Sequence, residues 1–170
     1  LVQLLKRHTP GLALVFCATR REVDVLTKNL KNQGVRVMAI HGGLTQNRRQ
    51  NALELLKKEH ITVLVATDVA GRGLDIKNIS HVYNYDVPKT SEEYLHRIGR
   101  TARAGESGEA VTLLSERDHS NFANVLSNRK IEIQKETPPQ FQRLPFFREQ
   151  RREFNTRKPN LRDRRTYYRR

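Results

Sequence analysis

Short apolar runs rich in β-branched residues recur along the chain, and segments of helical periodicity separate them. Runs that are apolar at almost every position are typical of strands buried on both faces. Their alternation with helices predicts βαβ units, and therefore an α/β fold with a central, mostly parallel sheet flanked by helices. The five predicted strands are residues 12–17, 35–40, 61–66, 80–85 and 109–114.

Capping signals mark four helices around these strands. Thr19 followed by Glu22 predicts a capping box that opens the first of them. This helix is expected to run through Leu30, because Gly34 is placed to end it. The other three are predicted from about Asn47 to Glu59, from the Thr90 cap through the YLHRIGRTAR segment, and from Arg117 to Ser127.

The regular pattern fails after Glu136. Pro138 and Pro139 break any helix there, and the sequence that follows has no hydrophobic periodicity. We therefore expect two regions. Residues 1–136 are predicted to form a folded domain, and residues 137–170 an Arg-rich C-terminal tail that is extended or disordered.

The charge of the chain is strongly positive and unevenly distributed. With 32 Lys and Arg against 18 Asp and Glu, the formal net charge is +14. This excess favours a polyanionic partner, such as nucleic acid or an anionic membrane surface. Residues 143–170 alone hold 11 basic and three acidic residues, interleaved with aromatic side chains that can stack on bases. The alternative is a tail that only keeps the protein in solution.

The rest of the composition narrows the class of protein. Cys17 is the only cysteine, so an intramolecular disulfide framework is excluded and a reducing, cytoplasmic location is expected. The longest apolar run covers residues 12–18, which is far below the roughly 20 residues that cross a bilayer, so no membrane insertion is expected. The chain begins at Leu1, without an initiator Met and within a helix-like segment, which predicts a fragment of a longer protein.

Polar residues follow the first two predicted strands, at the edge of a parallel sheet where ligands usually bind. Thr19 and Arg20 follow the first strand. The His-Gly-Gly of residues 41–43 follows the second and leads to Gln46 and Arg49. A simple helix cap at Thr19, and a turn that needs a positive φ at the two glycines, are the structural alternatives.

Two further clusters are harder to explain by structure alone. After the third predicted strand, two glycines flank Arg72 and let the backbone approach a ligand, while Asp75 offers a carboxylate to a hydroxyl. Arg97, Arg100 and Arg103 recur every third residue on a predicted helix and so are expected to share one face. Such a row is usually just a solvated face. A solvated face does not need three arginines without an acidic partner among them, however, whereas a polyphosphate ligand does.

Two long motifs carry a family resemblance. YLHRIGRTARAG resembles YIHRIGRTGRAG, and VLVATDVAGRGLD resembles VLVATDVAARGLD, both of the second RecA-like domain of DEAD-box RNA helicases. The VFCATRR and HGGLTQNRR segments match less specific motifs of that family, and the resemblance runs in order over about residues 1–136. It implies a RecA-like three-layer domain. Departures occur at Ala102, where the family commonly has Gly, and at Gly43, where it commonly has an acidic residue.

The resemblance implies roles for particular residues. Arg100 and Arg103 would reach the γ-phosphate of ATP held on another domain, with Arg100 the better candidate for an arginine finger. Asp75 would contact the ribose, with Gly73 beside it in the nucleotide-binding loop. His96 and Arg97 would either bind across the domain interface or brace the motif, and Arg72 joins this interdomain set. Contacts to the RNA sugar–phosphate backbone are implied for Thr19, Arg20, Gly42, Gln46, Arg49, Thr67 and Asp68.

The same resemblance implies that part of the machinery lies elsewhere. The chain contains neither G-x-x-x-x-G-K-[ST] nor a D-E-A-D-type segment. ATP and Mg²⁺ would therefore be held mainly by a missing N-terminal RecA-like domain, and this fragment alone is expected to be inactive. The expected partners are RNA, that domain and a regulatory protein. A catalytically idle adaptor that binds RNA or protein, and a DNA helicase or translocase, are the alternatives.

Overall fold

A five-stranded sheet forms the centre of the computed structural model, which describes residues 1–71, 76, 78–101, 108–137 and 144–147. All five predicted strands are confirmed, each two residues shorter than its apolar run. The strands are β1 Ala13–Phe16, β2 Val37–Ile40, β3 Val63–Ala66, β4 His81–Asn84 and β5 Glu109–Thr112.

The strands are parallel and lie in the order β2-β3-β1-β4-β5, which confirms the predicted sheet. In the central strand β1, the last residue, Phe16, pairs with Ala66 of β3 and with Asn84 of β4. The carboxyl ends of these three strands are therefore level. As a result, the loops that follow them meet at one edge of the sheet.

Helices occupy the connections between the strands. They are α1 Val2–His8, α2 Arg20–Asn32, α3 Gln46–Lys57, the single-turn α4 Asp68–Gly71, α5 Ser91–Ile98 and α6 His119–Leu126, with a 3₁₀ turn over Glu116–Asp118. The last predicted helix thus begins as a 3₁₀ turn rather than an α-helix. No helix in the described part of the chain has the length and apolar character needed to cross a membrane.

The helix that starts at the Thr90 cap is shorter than predicted. It was expected to carry the YLHRIGRTAR segment forward, but α5 ends at Ile98, and Gly99 is its C-cap. Beyond the cap, the Thr101 hydroxyl donates to the main-chain carbonyls of Ile79 at 2.9 Å and Ser80 at 3.2 Å. These contacts turn the chain toward the sheet. Arg100 therefore lies in a turn, outside the helix that carries Arg97.

Two apolar cores cover the two faces of the sheet. Leu14 and Phe16 of β1 pack in the core on the side of α3, whereas Ala13 and Val15 pack with α1 and α2 on the other side. All four side chains are almost completely buried. The alternation confirms that β1 is covered on both faces, and it gives the three layers of the predicted fold.

The ends of α2 confirm the capping signals. The Thr19 hydroxyl oxygen accepts a hydrogen bond from the Glu22 N–H at 3.1 Å and donates to the Glu22 carboxylate at 2.9 Å. At the other end, Gly34 has a φ of +78°, which glycine adopts without strain. These caps fix where α2 starts, directly after the loop that leaves β1.

A short segment of the predicted tail lies against α2. The Phe147 N–H donates to the Asn29 side-chain oxygen at 2.8 Å, and the Asn29 amide donates to the Phe147 carbonyl at 3.0 Å. The same amide also donates to the Val25 carbonyl at 2.8 Å. The extended or disordered character of residues 137–170 stays a prediction, because most of them lie outside the described residues.

Candidate nucleotide and nucleic-acid interface

Arg97 of α5 lies at the point where the strand-end loops meet. Its side chain is 3% exposed, and its guanidinium donates to both carboxylate oxygens of Asp68 in α4, each at 2.6 Å. This two-point geometry is the strongest arrangement available to an arginine and a carboxylate. It fastens α5 to the loop that follows β3.

The rest of the Arg97 guanidinium is also engaged within the domain. One nitrogen donates to the Asn84 side-chain oxygen at 3.2 Å and to the Asp86 carbonyl at 2.6 Å. The guanidinium carbon lies 5.2 Å from the centre of the Phe16 ring, a cation–π contact. Of the two roles implied for Arg97, the geometry favours bracing over a contact across an interface. Asp68, implied as an RNA contact, uses both carboxylate oxygens to hold Arg97.

Arg100 and His96 border the same depression but remain accessible. Both line it together with Phe16, Asp68, Gly71 and Arg97. The Arg100 N–H donates to the Arg97 carbonyl at 3.1 Å, so the buried arginine fixes the backbone that carries the accessible one. Within the part of the chain that the structure describes, no acidic side chain forms an ion pair with Arg100. Its guanidinium is therefore available to a ligand at this edge of the sheet.

Four residues of the implied nucleotide and interdomain set cannot be placed. Arg72, Gly73, Asp75 and Arg103 lie outside the described residues. Their implied roles therefore stay predictions.

A second group lies on the loops after β1 and β2. Arg20 and Gly42 are both exposed, and a Cβ added at Gly42 would lie 3.3 Å from the Arg20 guanidinium. Among the glycines that the structure describes, only Gly34 has a positive φ, so the idea that the His-Gly-Gly turn needs one is wrong. Gly42 is instead a site of close approach, where a larger side chain would displace Arg20.

His41 holds this second loop in place. The ring is 5% exposed, and its Nδ1 accepts the Gly43 N–H at 3.1 Å. The proton must then sit on Nε2, which lies 2.9 Å from an Asp24 carboxylate oxygen and donates to it. His41 thus joins the loop after β2 to α2, a contact that the sequence motif did not reveal.

The remaining implied RNA contacts lie at the same edge of the sheet. Gln46 is exposed and Arg49 is half-buried in the first turn of α3, whose N-cap is Thr45. Thr67 is 9% exposed, and its carbonyl accepts the Gly71 N–H at 2.8 Å. The Thr67 backbone therefore stabilises the turn of α4, whereas the exposed Gln46 side chain is accessible to a ligand.

Asp86 is a site residue that sequence reasoning missed. The side chain is 2% exposed, accepts the Ala18 N–H at 2.9 Å and forms an ion pair with Arg117. Arg117 also lies 3.3 Å from the carboxylate of Glu22. Burial raises the pKa of the Asp86 carboxyl, while the Ala18 N–H and the Arg117 charge oppose that shift. An acidic residue just after the fourth apolar run was the only local signal for it.

The sequence of the chain is similar to those of known proteins. Residues 1–105 match the model of the helicase conserved C-terminal domain. The chain is 48% identical over 138 residues to the DEAD-box ATP-dependent RNA helicase CshA of Bacillus subtilis, covering 80% of this chain but only 28% of that protein.

Solved structures resemble the fold as well. The E. coli DEAD-box protein SrmB, bound to the regulator of ribonuclease activity RraA, is 42% identical with a TM-score of 0.71, over 77% of this chain and 76% of that one. Domain 2 of the DEAD-box helicase Mss116p, bound to an RNA duplex, is 31% identical with a TM-score of 0.67, over 81% of this chain and 56% of that one.

Proposed function

Because the chain belongs to the DEAD-box helicase family as its C-terminal RecA-like domain, we propose that it is the second motor domain of an ATP-dependent RNA helicase. It binds the RNA sugar–phosphate backbone and supplies arginine to ATP held by an N-terminal RecA-like domain. The observation that carries this proposal is the contrast between Arg97, which is buried and fully engaged, and the half-buried Arg100 three residues later, which forms no ion pair with the residues that the structure describes.

The depression beside Arg100 suits a polyphosphate. Its accessible groups are the Arg100 guanidinium and the exposed His96, and the carboxylate that lines it, Asp68, is paired with Arg97. A rigidly mounted guanidinium can match phosphate oxygens at two points. Arg100 is therefore the residue proposed to contact the γ-phosphate, and Arg103 is proposed as its companion.

The nucleotide would be shared between two domains. The sequence lacks a phosphate-cradling loop and a Mg²⁺-binding D-E-A-D-type segment, so this chain supplies one wall only. When bound, Mg²⁺·ATP supplies the phosphoanhydride bond that is hydrolysed. The part of this chain is to orient the γ-phosphate and to balance the negative charge that develops on it. Asp75 and Gly73 are proposed to hold the ribose end.

RNA is proposed to bind along the loops after β1 and β2. Arg20, Gly42 and Gln46 are exposed there, and Arg49 is half-buried beside them. These groups suit a phosphate backbone rather than base edges, so little sequence specificity is expected. The solved complex of Mss116p domain 2 with an RNA duplex supports RNA as the ligand class.

The two proposed sites lie at the same edge of the sheet. Arg97 joins α5, which leads to Arg100, to Asp68 after β3 and to Asn84 at the end of β4. A ligand that requires both domains to close would therefore position the arginine and the RNA-binding loops together. Domain closure driven by the binding of one ligand favours the binding of the other, which is the thermodynamic basis of coupling. A regulatory protein that favours or opposes domain closure is a further proposed partner. The proposed location is the cytoplasm.

The test is Arg100→Ala in the full-length protein. Loss of an arginine finger lowers phosphoryl transfer by about 10³ to 10⁵ in comparable enzymes. RNA-stimulated ATP hydrolysis should fall steeply, while ATP binding to the N-terminal domain is retained. Arg129→Ala, at an exposed arginine after α6, is the matched control. Near-normal hydrolysis in Arg100→Ala would refute the assignment.

A further inference from the structure

A cluster of metal-binding side chains lies at the opposite end of the sheet from the site described above. His81 and Glu109 are the first residues of β4 and β5 and pair directly across the two strands. His8 is the last residue of α1. One donor atom from each residue lies within 4.8 Å of the other two. No step of the proposed function uses these residues.

The distances in this cluster suit a metal ion better than hydrogen bonds. His8 Nδ1 lies 3.4 Å from Glu109 Oε1, and His81 Nε2 lies 3.5 Å from Glu109 Oε2. Nitrogen–oxygen hydrogen bonds are shorter, at about 2.7–3.2 Å. Bonds of about 2.0–2.1 Å in a tetrahedral Zn²⁺ site place neighbouring donor atoms roughly 3.3 Å apart. The two nitrogen–oxygen separations, each to a different Glu109 oxygen, are therefore each close to the length of one edge of such a tetrahedron.

The hydrogen bonds of His81 leave its Nε2 free to coordinate. The Ser80 hydroxyl donates its proton to the Leu12 carbonyl at 3.0 Å, so it can only accept from His81 Nδ1, also 3.0 Å away. The ring proton then sits on Nδ1, and the Nε2 lone pair points toward Glu109. An oriented outer partner of this kind accompanies most metal-binding histidines.

His8 also presents a lone pair to the cluster. The buried Tyr83 hydroxyl lies 3.0 Å from His8 Nδ1, the same nitrogen that lies 3.4 Å from Glu109 Oε1. His8 Nδ1 thus faces both Tyr83 and Glu109, and an ion bound at this nitrogen would replace its contact with the Tyr83 hydroxyl. The His8 and His81 rings lie 5.6 Å apart, and the His81 and Tyr83 rings stack at 6.0 Å, so packing holds the geometry.

We propose that His8, His81 and Glu109 form a Zn²⁺ site, with a fourth coordination position open to water. The two imidazoles are half-buried, whereas the Glu109 side chain is 54% exposed and leaves a solvent-facing side. The role is structural: the ion ties α1 to strand β5, which pairs with β4 and is the edge strand of the sheet that the structure describes. This inference is independent of the proposed function.

Zn²⁺ titration of the 170-residue chain without an affinity tag, after removal of bound metals, tests the site. We expect saturable binding of one ion per chain by calorimetry and a rise in Tm that EDTA reverses. Co²⁺ in place of Zn²⁺ should give the intense visible absorption of tetrahedral coordination. If the chain shows neither saturable Zn²⁺ binding nor a Tm shift, the proposal is wrong.

Matched variants separate this site from adventitious binding. His8→Asn, His81→Asn and Glu109→Gln should each abolish saturable binding and the Co²⁺ spectrum, with folding checked by circular dichroism. Ser80→Ala, which removes the partner of His81, should weaken affinity by about 10–100-fold. His60→Asn, at an exposed histidine outside the cluster, should bind normally. Unchanged binding in the three ligand variants would place the ion elsewhere and overturn the proposal.

Discussion

Arg97 and Asp68 form a two-point ion pair in which both nitrogen–oxygen distances are 2.6 Å. The arginine is 3% exposed, whereas the aspartate is 24% exposed. The arginine side chain is thus buried at the carboxyl edge of the parallel sheet. Such a charge is tolerated only because Asp68, Asn84 and the Asp86 carbonyl satisfy it.

Arg97→Ala should therefore destabilise the domain strongly. Breaking a buried pair by removing one partner costs about 3–5 kcal/mol, and Asn84 loses a partner as well. Urea unfolding of the chain measures this change. Arg97→Lys should also be destabilising, because an ammonium cannot reproduce the two-point geometry. Arg100→Ala is the control and should change stability by less than about 0.5 kcal/mol. Equal effects at Arg97 and Arg100 would contradict the bracing role.

Asp86 predicts a pH dependence of stability. Burial raises the pKa of its carboxyl above the ordinary value of 3.8, so the folded state favours the protonated form. The stability that this preference provides is complete below pH 3.8 and is lost as the pH rises through the raised pKa.

Asp86→Asn keeps a side-chain oxygen for the Ala18 N–H but cannot ionise. The free energy of unfolding of the wild type, relative to Asp86→Asn, should fall between pH 3.8 and neutrality. Urea unfolding across this range measures the difference. This decrease in the free energy of unfolding should be larger in an Arg117→Ala background, because the positive charge that stabilises the ionised Asp86 carboxylate is then absent. A difference that grows with pH instead would mean that Arg117 and Ala18 outweigh burial.

The ends of a helix could be predicted from the sequence where the residues that determine them lie close together along the chain. Thr19 and Glu22 are three residues apart, and Gly34 follows the same helix, so the limits of α2 could be read from the chain. The end of α5 could not, because it depends on a hydroxyl contact from Thr101 to the Ile79 carbonyl, 22 residues away.

The candidate site shows the same limit. The spacing of Arg97 and Arg100 predicted one shared helix face for both, and only the family resemblance gave them different roles. Their different roles arise from Asp68 and Asn84, which reach Arg97 from the ends of separate strands. Asp86 was overlooked because its partners, Ala18 and Arg117, are 68 and 31 residues away. Pairings of this kind depend on the order of the strands, which local patterns do not determine.

Gly42→Ala should weaken RNA binding without unfolding the domain. The added Cβ would lie 3.3 Å from the end of the Arg20 side chain, which is exposed and can move aside. Stability should therefore change little, while the displaced guanidinium lowers RNA affinity several-fold. Gly11→Ala is the control, because its Cβ would meet nothing within 4 Å. Fluorescence anisotropy with single-stranded RNA and the full-length protein measures the effect. Unchanged affinity in Gly42→Ala would separate this loop from the RNA path.

The contact between Asn29 and Phe147 predicts that part of the C-terminal segment stabilises α2. Asn29 is 6% exposed and exchanges two hydrogen bonds with the Phe147 backbone, so Asn29→Ala should cost about 1–3 kcal/mol. Asn32→Ala, at an exposed asparagine of the same helix, is the control. The cost at Asn29 should shrink in a chain truncated after Thr137, because its partner is then absent.

The two changes together form a double-mutant cycle that isolates the contact. A coupling energy of about 1 kcal/mol or more in urea unfolding would show that Phe147 is held against α2 in solution. Phe147→Ala in the full chain distinguishes backbone recognition from apolar packing, because it keeps the main-chain N–H and carbonyl that Asn29 contacts and should leave the coupling in place. If Asn29→Ala costs the same with and without the tail, Asn29 acts only within α2 through the Val25 carbonyl. In that case the C-terminal segment is not anchored there.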